Sequence, residues 1–145
     1  MKTKNYISIA KKAANIQIKE LKKINKIFNF SFIKAVDLIL NCKGKIIFAG
    51  IGKSGLIARK ISATFSSVGI PSFFCDPAQA LHGDMGQIEK KDILIIVSYS
   101  GNTSELTNML KYANRYRIKI IGIASKPESN LLKASDIKLI LPKVK

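Results

Sequence analysis

A lysine and a serine lie inside a glycine-rich run, Gly50-Ile51-Gly52-Lys53-Ser54-Gly55. A single phosphorylated ligand would use both, one as a mobile cation and the other as a hydroxyl donor. The run also matches G-x-G-x-x-G, and Asp76 follows at about the twenty-residue distance at which a dinucleotide fingerprint places an acid for a ribose hydroxyl. It is not a phosphate loop of the G-x-x-x-x-G-K-S kind, because Ile47 stands where the first glycine is needed. Taken alone, this loop admits a dinucleotide or a phosphorylated sugar.

A second run narrows the choice: Ser98-Tyr99-Ser100-Gly101-Asn102-Thr103-Ser104-Glu105. Ser98, Ser100 and Thr103 place hydroxyls around the Gly101 turn, where a helix is expected to begin and its free N–H groups point. Hydrogen bonds to a charged group contribute roughly 1.5–3 kcal/mol each, against about 0.3–1 kcal/mol for an exposed helix dipole. Hydroxyls and amides should therefore dominate the hold on a phosphate. Capping the helix would need only one of the three hydroxyls. His82, the single histidine, sits between Leu81 and Gly83 in a turn that would expose its ring, and is open to a structural or a catalytic role. Glu105 fits the first helical turn through the dipole alone, or serves as a base beside a bound phosphosugar. Asp76 precedes Pro77 and reads as a turn residue or a weak metal ligand.

These loops need elements to hold them. Apolar residues at Ile7, Ala10, Ala14, Ile18, Leu21, Ile24 and Phe28 predict one amphipathic helix with lysines on its other face. Ser31 is the expected cap of a second helix running to about Cys42, with Gly44 as its stop. From Lys45 onward short apolar runs alternate with helical stretches. Strands are predicted at 46–49, 72–75, 93–97, 119–124 and 137–141, and helices at 54–68, about 104–116 and 128–134. Near-continuous Ile, Val and Leu runs imply strands covered on both faces, hence an α/β three-layer sandwich around a five-stranded parallel sheet, preceded by N-terminal helices. Residues 1–42 are expected to pack on that core or on a partner subunit.

The 145 residues suit one domain. A net charge of +16 suggests a polyanion partner, yet all but three of the 25 basic residues are lysines spread along the chain. Base readout and bidentate phosphate clamps favour arginine, so no specific nucleic-acid site is expected. Lys2 and Lys4 resemble the start of a signal peptide, but Lys11 and Lys12 interrupt any apolar region after Ala10. No run approaches the roughly 18–20 apolar residues of a membrane span. A cytoplasmic location follows as the expectation. Cys42 and Cys75, far apart and without paired-ligand spacing, read as reduced structural thiols.

Together, Gly50–Gly55, Gly69-Ile70-Pro71-Ser72-Phe73-Phe74, His82-Gly83-Asp84, Ser98-Tyr99-Ser100-Gly101 and Pro127-Glu128-Ser129 resemble the sugar isomerase (SIS) domain of arabinose 5-phosphate isomerases, from about Lys43 to Lys145. The resemblance implies a flavodoxin-like Rossmannoid fold and interconversion of ribulose 5-phosphate and arabinose 5-phosphate for lipopolysaccharide octulosonate synthesis. It implies no redox cofactor and a homo-oligomer. By the same resemblance Lys53 is a catalytic cation and Glu105 a catalytic carboxylate. Ser54, Ser98, Ser100, Gly101 and Thr103 fall where phosphate is held, and Gly69, Ile70 and His82 match substrate-contacting positions. Asp76 stands where related enzymes carry a histidine that binds inhibitory metal. Which of Glu105 and His82 moves the proton stays open. Family members continue past Lys145 with another catalytic glutamate, a catalytic histidine and usually paired CBS domains, so binding with weak turnover is expected of this chain. The alternative is a non-enzymatic phosphosugar-binding module on the same fold.

Overall fold

The structure, a computed structural model, describes residues 5–144. Lys2 and Lys4, weighed above as a leader start, lie outside the described residues. The element order is α1 (Tyr6–Lys22), α2 (Phe30–Leu40), β1 (Ile46–Gly50), α3 (Gly52–Ser67), β2 (Ser72–Cys75), β3 (Ile93–Val97), α4 (Leu106–Tyr116), β4 (Lys119–Ala124), α5 (Asn130–Ala134) and β5 (Ile137–Ile140). All strand pairs are parallel, in the order β2-β1-β3-β4-β5. This is the flavodoxin-like doubly wound arrangement.

Two apolar layers flank the sheet because successive side chains in a strand point to opposite faces. Ile46, Phe48, Ile93, Ile95, Val97 and Ile121 face Ala35 of α2 and Ala58 of α3. Ile47, Ala49, Leu94, Ile96 and Ile120 face Leu106, Met109, Leu110 and Ala113 of α4 and Leu131 and Leu132 of α5. Central strands β1 and β3 are buried at every position. Burying each such side chain is worth about 1.5–3 kcal/mol, which explains why unbroken apolar runs mark them. Edge strand β5 alternates, with Ile137 and Leu139 half-buried beneath the α2 and α3 layer while Lys138 and Ile140 are exposed.

The N-terminal helices depart from the expectation in three places. α1 stops at Lys22, and Lys23–Ile27 tightens into a 3₁₀ turn rather than continuing to Phe28. Asn29, not Ser31, caps α2, its side chain accepting the Ser31 N–H at 2.8 Å. Both are good cap residues, and Asn29 takes the place because its backbone is extended while Ser31 is already helical. Gly44 does not stop α2, which ends at Leu40. A Cβ at Gly44 would lie 2.1 Å from the Asp92 carboxylate, so glycine is there to admit that acid. α1 buries none of its residues.

Carboxylates anchor the strands at their entry ends. Asp92, 1% exposed, accepts the N–H groups of Lys45 and Glu89, each at 2.8 Å, and pairs with the Lys45 ammonium at 3.5 Å. Asp136 repeats the device at β4, accepting the Ile120 N–H at 2.9 Å and the Lys119 ammonium at 2.6 Å. Burial alone would raise the Asp136 pKa, but the Lys119 and Ile120 donors outweigh it and hold the carboxyl below its ordinary 3.8. Hydrogen bonds from Lys91 and then Lys45 lower Glu89 in the same way. A carboxyl depressed in the folded state stabilises above its unfolded pKa and loses that contribution as pH falls through the folded value. Urea midpoints followed by circular dichroism should hold from neutrality to about pH 5 and drop below about pH 4, with a shallower drop in Asp136→Asn. Equal slopes in the two proteins would contradict this account.

Candidate functional site

β1 and β3 are neighbours, with Gly50 opposite Val97. Their following helices depart to opposite faces, α3 with one apolar layer and α4 with the other. The crevice between such diverging connections, beyond the carboxyl ends of the strands, is where open α/β sheets bind ligands.

On the β1 side, the chain turns directly into α3. A Cβ on Gly50 would sit 2.8 Å from the Val97 carbonyl oxygen, and one on Gly55 would sit 2.6 Å from that of Gly50. Missing side chains therefore let the helix start press against the strand end. Ile51, at the cap position of α3, makes no side-chain capping bond, and the first helical bond to it is donated by Gly55 at 3.3 Å. The N–H groups of Gly52, Lys53 and Ser54 have no backbone acceptor among the described residues, the condition that makes a helix start receptive to an anion. Lys53 is exposed and makes no ion pair among the described residues, while Ser54 is half-buried.

On the β3 side, Ser98 is turned inward. The residue is 4% exposed, and its hydroxyl accepts the Gly101 N–H at 3.1 Å and hydrogen-bonds Thr103 Oγ1 at 2.9 Å. With Ser98 donating to Thr103, the half-buried Thr103 keeps its own O–H for a ligand. Ser98 thus shapes the loop from beneath rather than presenting an open donor. Ser100 is also half-buried and its oxygen accepts the Asn102 N–H at 3.3 Å. Gly101 takes φ +67°, the left-handed region that favours glycine. Glu105 lies one residue before α4, at its N-cap position, because the Leu106 and Thr107 N–H groups bond three residues back, to Thr103 and Ser104, although the Glu105 backbone is already helical. Its carboxyl is exposed, and its own backbone N–H, followed by the Ser104 hydroxyl at 2.8 Å, holds it below the ordinary carboxylate range. It is therefore ionised at neutral pH, as a proton acceptor must be.

His82 lies in a 3₁₀ turn over Ala80–His82, on the segment that follows β2, and is exposed. Asp76 Oδ1 accepts the Ala78 N–H at 3.0 Å, and its carbonyl accepts those of Gln79 and Ala80, so this residue shapes the turn around Pro77. Among the described residues no group of three or more His, Cys, Asp or Glu is placed to hold a metal. Cys75 beside it is buried, and burial, then the charges of Asp84 and Asp76, push its thiol up to about 11. A buried thiol held in its protonated form is unreactive.

Gly69 and Ile70 are not brought to this crevice. They lead into β2 beside the start of β1, where the Ile46 N–H bonds the Pro71 carbonyl. The four strand rises from Ile46 to Gly50 put them about 13 Å away. Three supporting residues carry no role that the sequence assigns. Ser125 donates its N–H and hydroxyl to the Tyr99 carbonyl at 2.9 and 2.7 Å. Asn102 Oδ1 accepts the Asn130 N–H at 2.9 Å, and Ser129 packs behind Gly101. Only the adjacency of β3 and β4 reveals them, and strand order is not written in local composition.

The family profile described as the SIS domain matches residues 39–145. The chain is 45% identical over 108 residues to arabinose 5-phosphate isomerase KdsD of Pseudomonas aeruginosa, covering 74% of this chain and 33% of that protein. It is 40% identical over 119 residues to the KdsD of Escherichia coli K12, covering 82% of this chain and 36% of that one. The chain spans less than half the length of the curated relatives it matches. Among solved structures, an E. coli CFT073 protein in complex with arabinose 5-phosphate superposes with a TM-score of 0.85 at 34% identity, covering 100% of this chain and 77% of that one. Fold, loop order and these relatives agree: the chain belongs to the SIS-domain family and is homologous to its arabinose 5-phosphate isomerases.

Proposed function

We propose that the chain binds a five-carbon sugar phosphate at the β1/β3 crevice and serves the interconversion of ribulose 5-phosphate and arabinose 5-phosphate. The observation that carries this reading is the pairing of two strand-end loops. One supplies uncapped α3 amides with Lys53 and Ser54, and the other Ser100, Gly101 and Thr103. Aldose–ketose conversion moves a proton between adjacent carbons through an enediol. A base takes the proton from the hydroxyl-bearing carbon, and a cation steadies the oxyanion that forms on its carbonyl neighbour. Glu105, held ionised, fits the base, and Lys53 fits the cation. His82 is the other candidate for the proton. The solved E. coli relative in complex with arabinose 5-phosphate supports the ligand class.

Residues 43–145 form the sugar-phosphate-binding unit in this reading, with the N-terminal helices packing on it or on a second subunit. The exposed apolar residues of α1, among them Ile7, Ile16 and Leu21, support a homo-oligomer. A cytoplasmic setting belongs to the same reading, because sugar phosphates carry a charge that keeps them from crossing a bilayer unaided. No helix among the described residues is long and apolar enough to cross a membrane.

A nicotinamide dinucleotide is the discriminating competitor, because Gly50, Gly52, Gly55 and Asp76 imitate its fingerprint. Asp76 spends a carboxylate oxygen on its own turn, which disfavours that role. In thermal-shift titrations arabinose 5-phosphate should raise the melting temperature, by a stabilisation near ~2.7 kcal/mol at about 100 times its Kd, and NAD should leave it unmoved. A shift with NAD and none with the phosphosugar would overturn the reading.

A further inference from the structure

The first turn of α5 is capped from outside its own sequence. Ser129 occupies its N-cap position yet makes no side-chain capping bond, and its hydroxyl is fully buried without a partner among the described residues. Two first-turn N–H groups instead reach across to the β3–α4 loop. Asn130 donates to Asn102 Oδ1 at 2.9 Å, and Leu131 donates to the Gly101 carbonyl at 2.9 Å. A side-chain oxygen accepting an orphan helix N–H is ordinary capping chemistry, normally supplied by the residue just before the helix. Here the acceptor comes from a residue 28 positions earlier in the chain.

This arrangement fixes the loop on two sides. From beneath, the Ser98 hydroxyl holds the Gly101 N–H and Thr103 Oγ1. From the flank, α5 holds the Gly101 carbonyl and the Asn102 side chain. Asn102 is exposed, and its carboxamide oxygen faces α5. We infer that Asn102 is a positioning residue: by capping α5 across the loop, it sets where Gly101 and Thr103 stand and so tunes the grip on a phosphate. The inference rests on the phosphosugar reading above.

The test uses the full chain with Asn102→Ala, Asn102→Asp and Lys138→Ala. Hydrogen exchange at the Asn130 amide and calorimetric titration with arabinose 5-phosphate and inorganic phosphate are the readouts, taken well below the melting temperature. Asn102→Ala should unmask the Asn130 amide and weaken both ligands on the order of tenfold, the scale on which supporting partners act on a bound group. Asn102→Asp keeps an acceptor oxygen and should restore protection at Asn130. Lys138→Ala, an exposed change on β5 away from the loop, should change neither readout. Unmasking with unchanged affinity would overturn the positioning role, and a protected Asn130 in Asn102→Ala would overturn the clamp itself. If the unaltered chain binds neither anion, the phosphosugar reading fails, and with it the ligand half of the inference, while exchange still decides the clamp.

Discussion

Gly101→Ala should weaken arabinose 5-phosphate binding about 100-fold, or ~2.7 kcal/mol. Two effects act together. The backbone there has φ +67°, a conformation that costs an L-residue roughly 1–2 kcal/mol. The new methyl would also lie 2.2 Å from Ser129 Oγ and 2.5 Å from its Cβ, with Ala124 Cβ at 3.1 Å. Rotating the hydroxyl cannot relieve contact with the Cβ, so the loop itself must shift, and overpacking of this kind costs about 1–3 kcal/mol. Adding Ser129→Gly removes both close atoms and should recover the steric share, leaving the backbone cost. Gly86→Ala is the control, since nothing lies within 4 Å of its Cβ position. Calorimetric titration decides: binding within about threefold of the unaltered chain would show that Gly101 does not fix the site.

Asp92→Ala should be the most destabilising single change away from the crevice, by about 3–5 kcal/mol. It strands two backbone N–H groups, those of Lys45 and Glu89, and leaves the Lys45 ammonium without its buried partner. Each stranded donor, only partly buried, costs up to roughly 1–3 kcal/mol. Domains of this size hold only about 5–15 kcal/mol in all, so the variant should melt roughly 10–20 °C lower. Asn in the same place keeps one acceptor oxygen but turns an NH₂ toward the second donor, and should recover only part of the loss. A drop under about 1 kcal/mol in chemical denaturation would show the anchor to be dispensable.

The sheet is legible in the sequence almost to the residue. The strands at 72–75, 93–97 and 119–124 match the observed bounds; β3, covered on both faces, is apolar throughout, while Ser72 and the exposed Lys119 open the other two ahead of their apolar runs. Helix ends were harder to place. Asn29 and Ser31 carry equal capping chemistry, and only the backbone angles at Asn29 choose between them. The apolar spacing runs on to Phe28 although the helix tightens at Lys23, since side-chain periodicity does not report the change to 3₁₀ bonding. Gly44 carried the signature of a helix stop, while its actual role, room for Asp92, depends on a residue far along the chain.

The crevice was legible to a similar depth. Lys53, Ser54, Ser100, Gly101 and Thr103 do converge at two adjacent strand ends, because topology forces the loops after β1 and β3 together. The inward turn of Ser98 was not legible. Three hydroxyls around one glycine look alike in sequence, and only the buried environment at the end of β3 separates the supporting one from the reachable ones. His82 remains on its own segment after β2, where its exposure leaves the ring accessible.

Placing Gly69 and Ile70 at the far pole of the sheet has a consequence for stoichiometry. A five-carbon phosphosugar is shorter than the roughly 13 Å between that pole and the strand ends, so one held at the crevice cannot reach Gly69 or Ile70 of the same copy. A phosphosugar held at the crevice would meet Gly69 and Ile70 only if a second copy of the chain supplied them, and its apparent affinity would then fall on dilution.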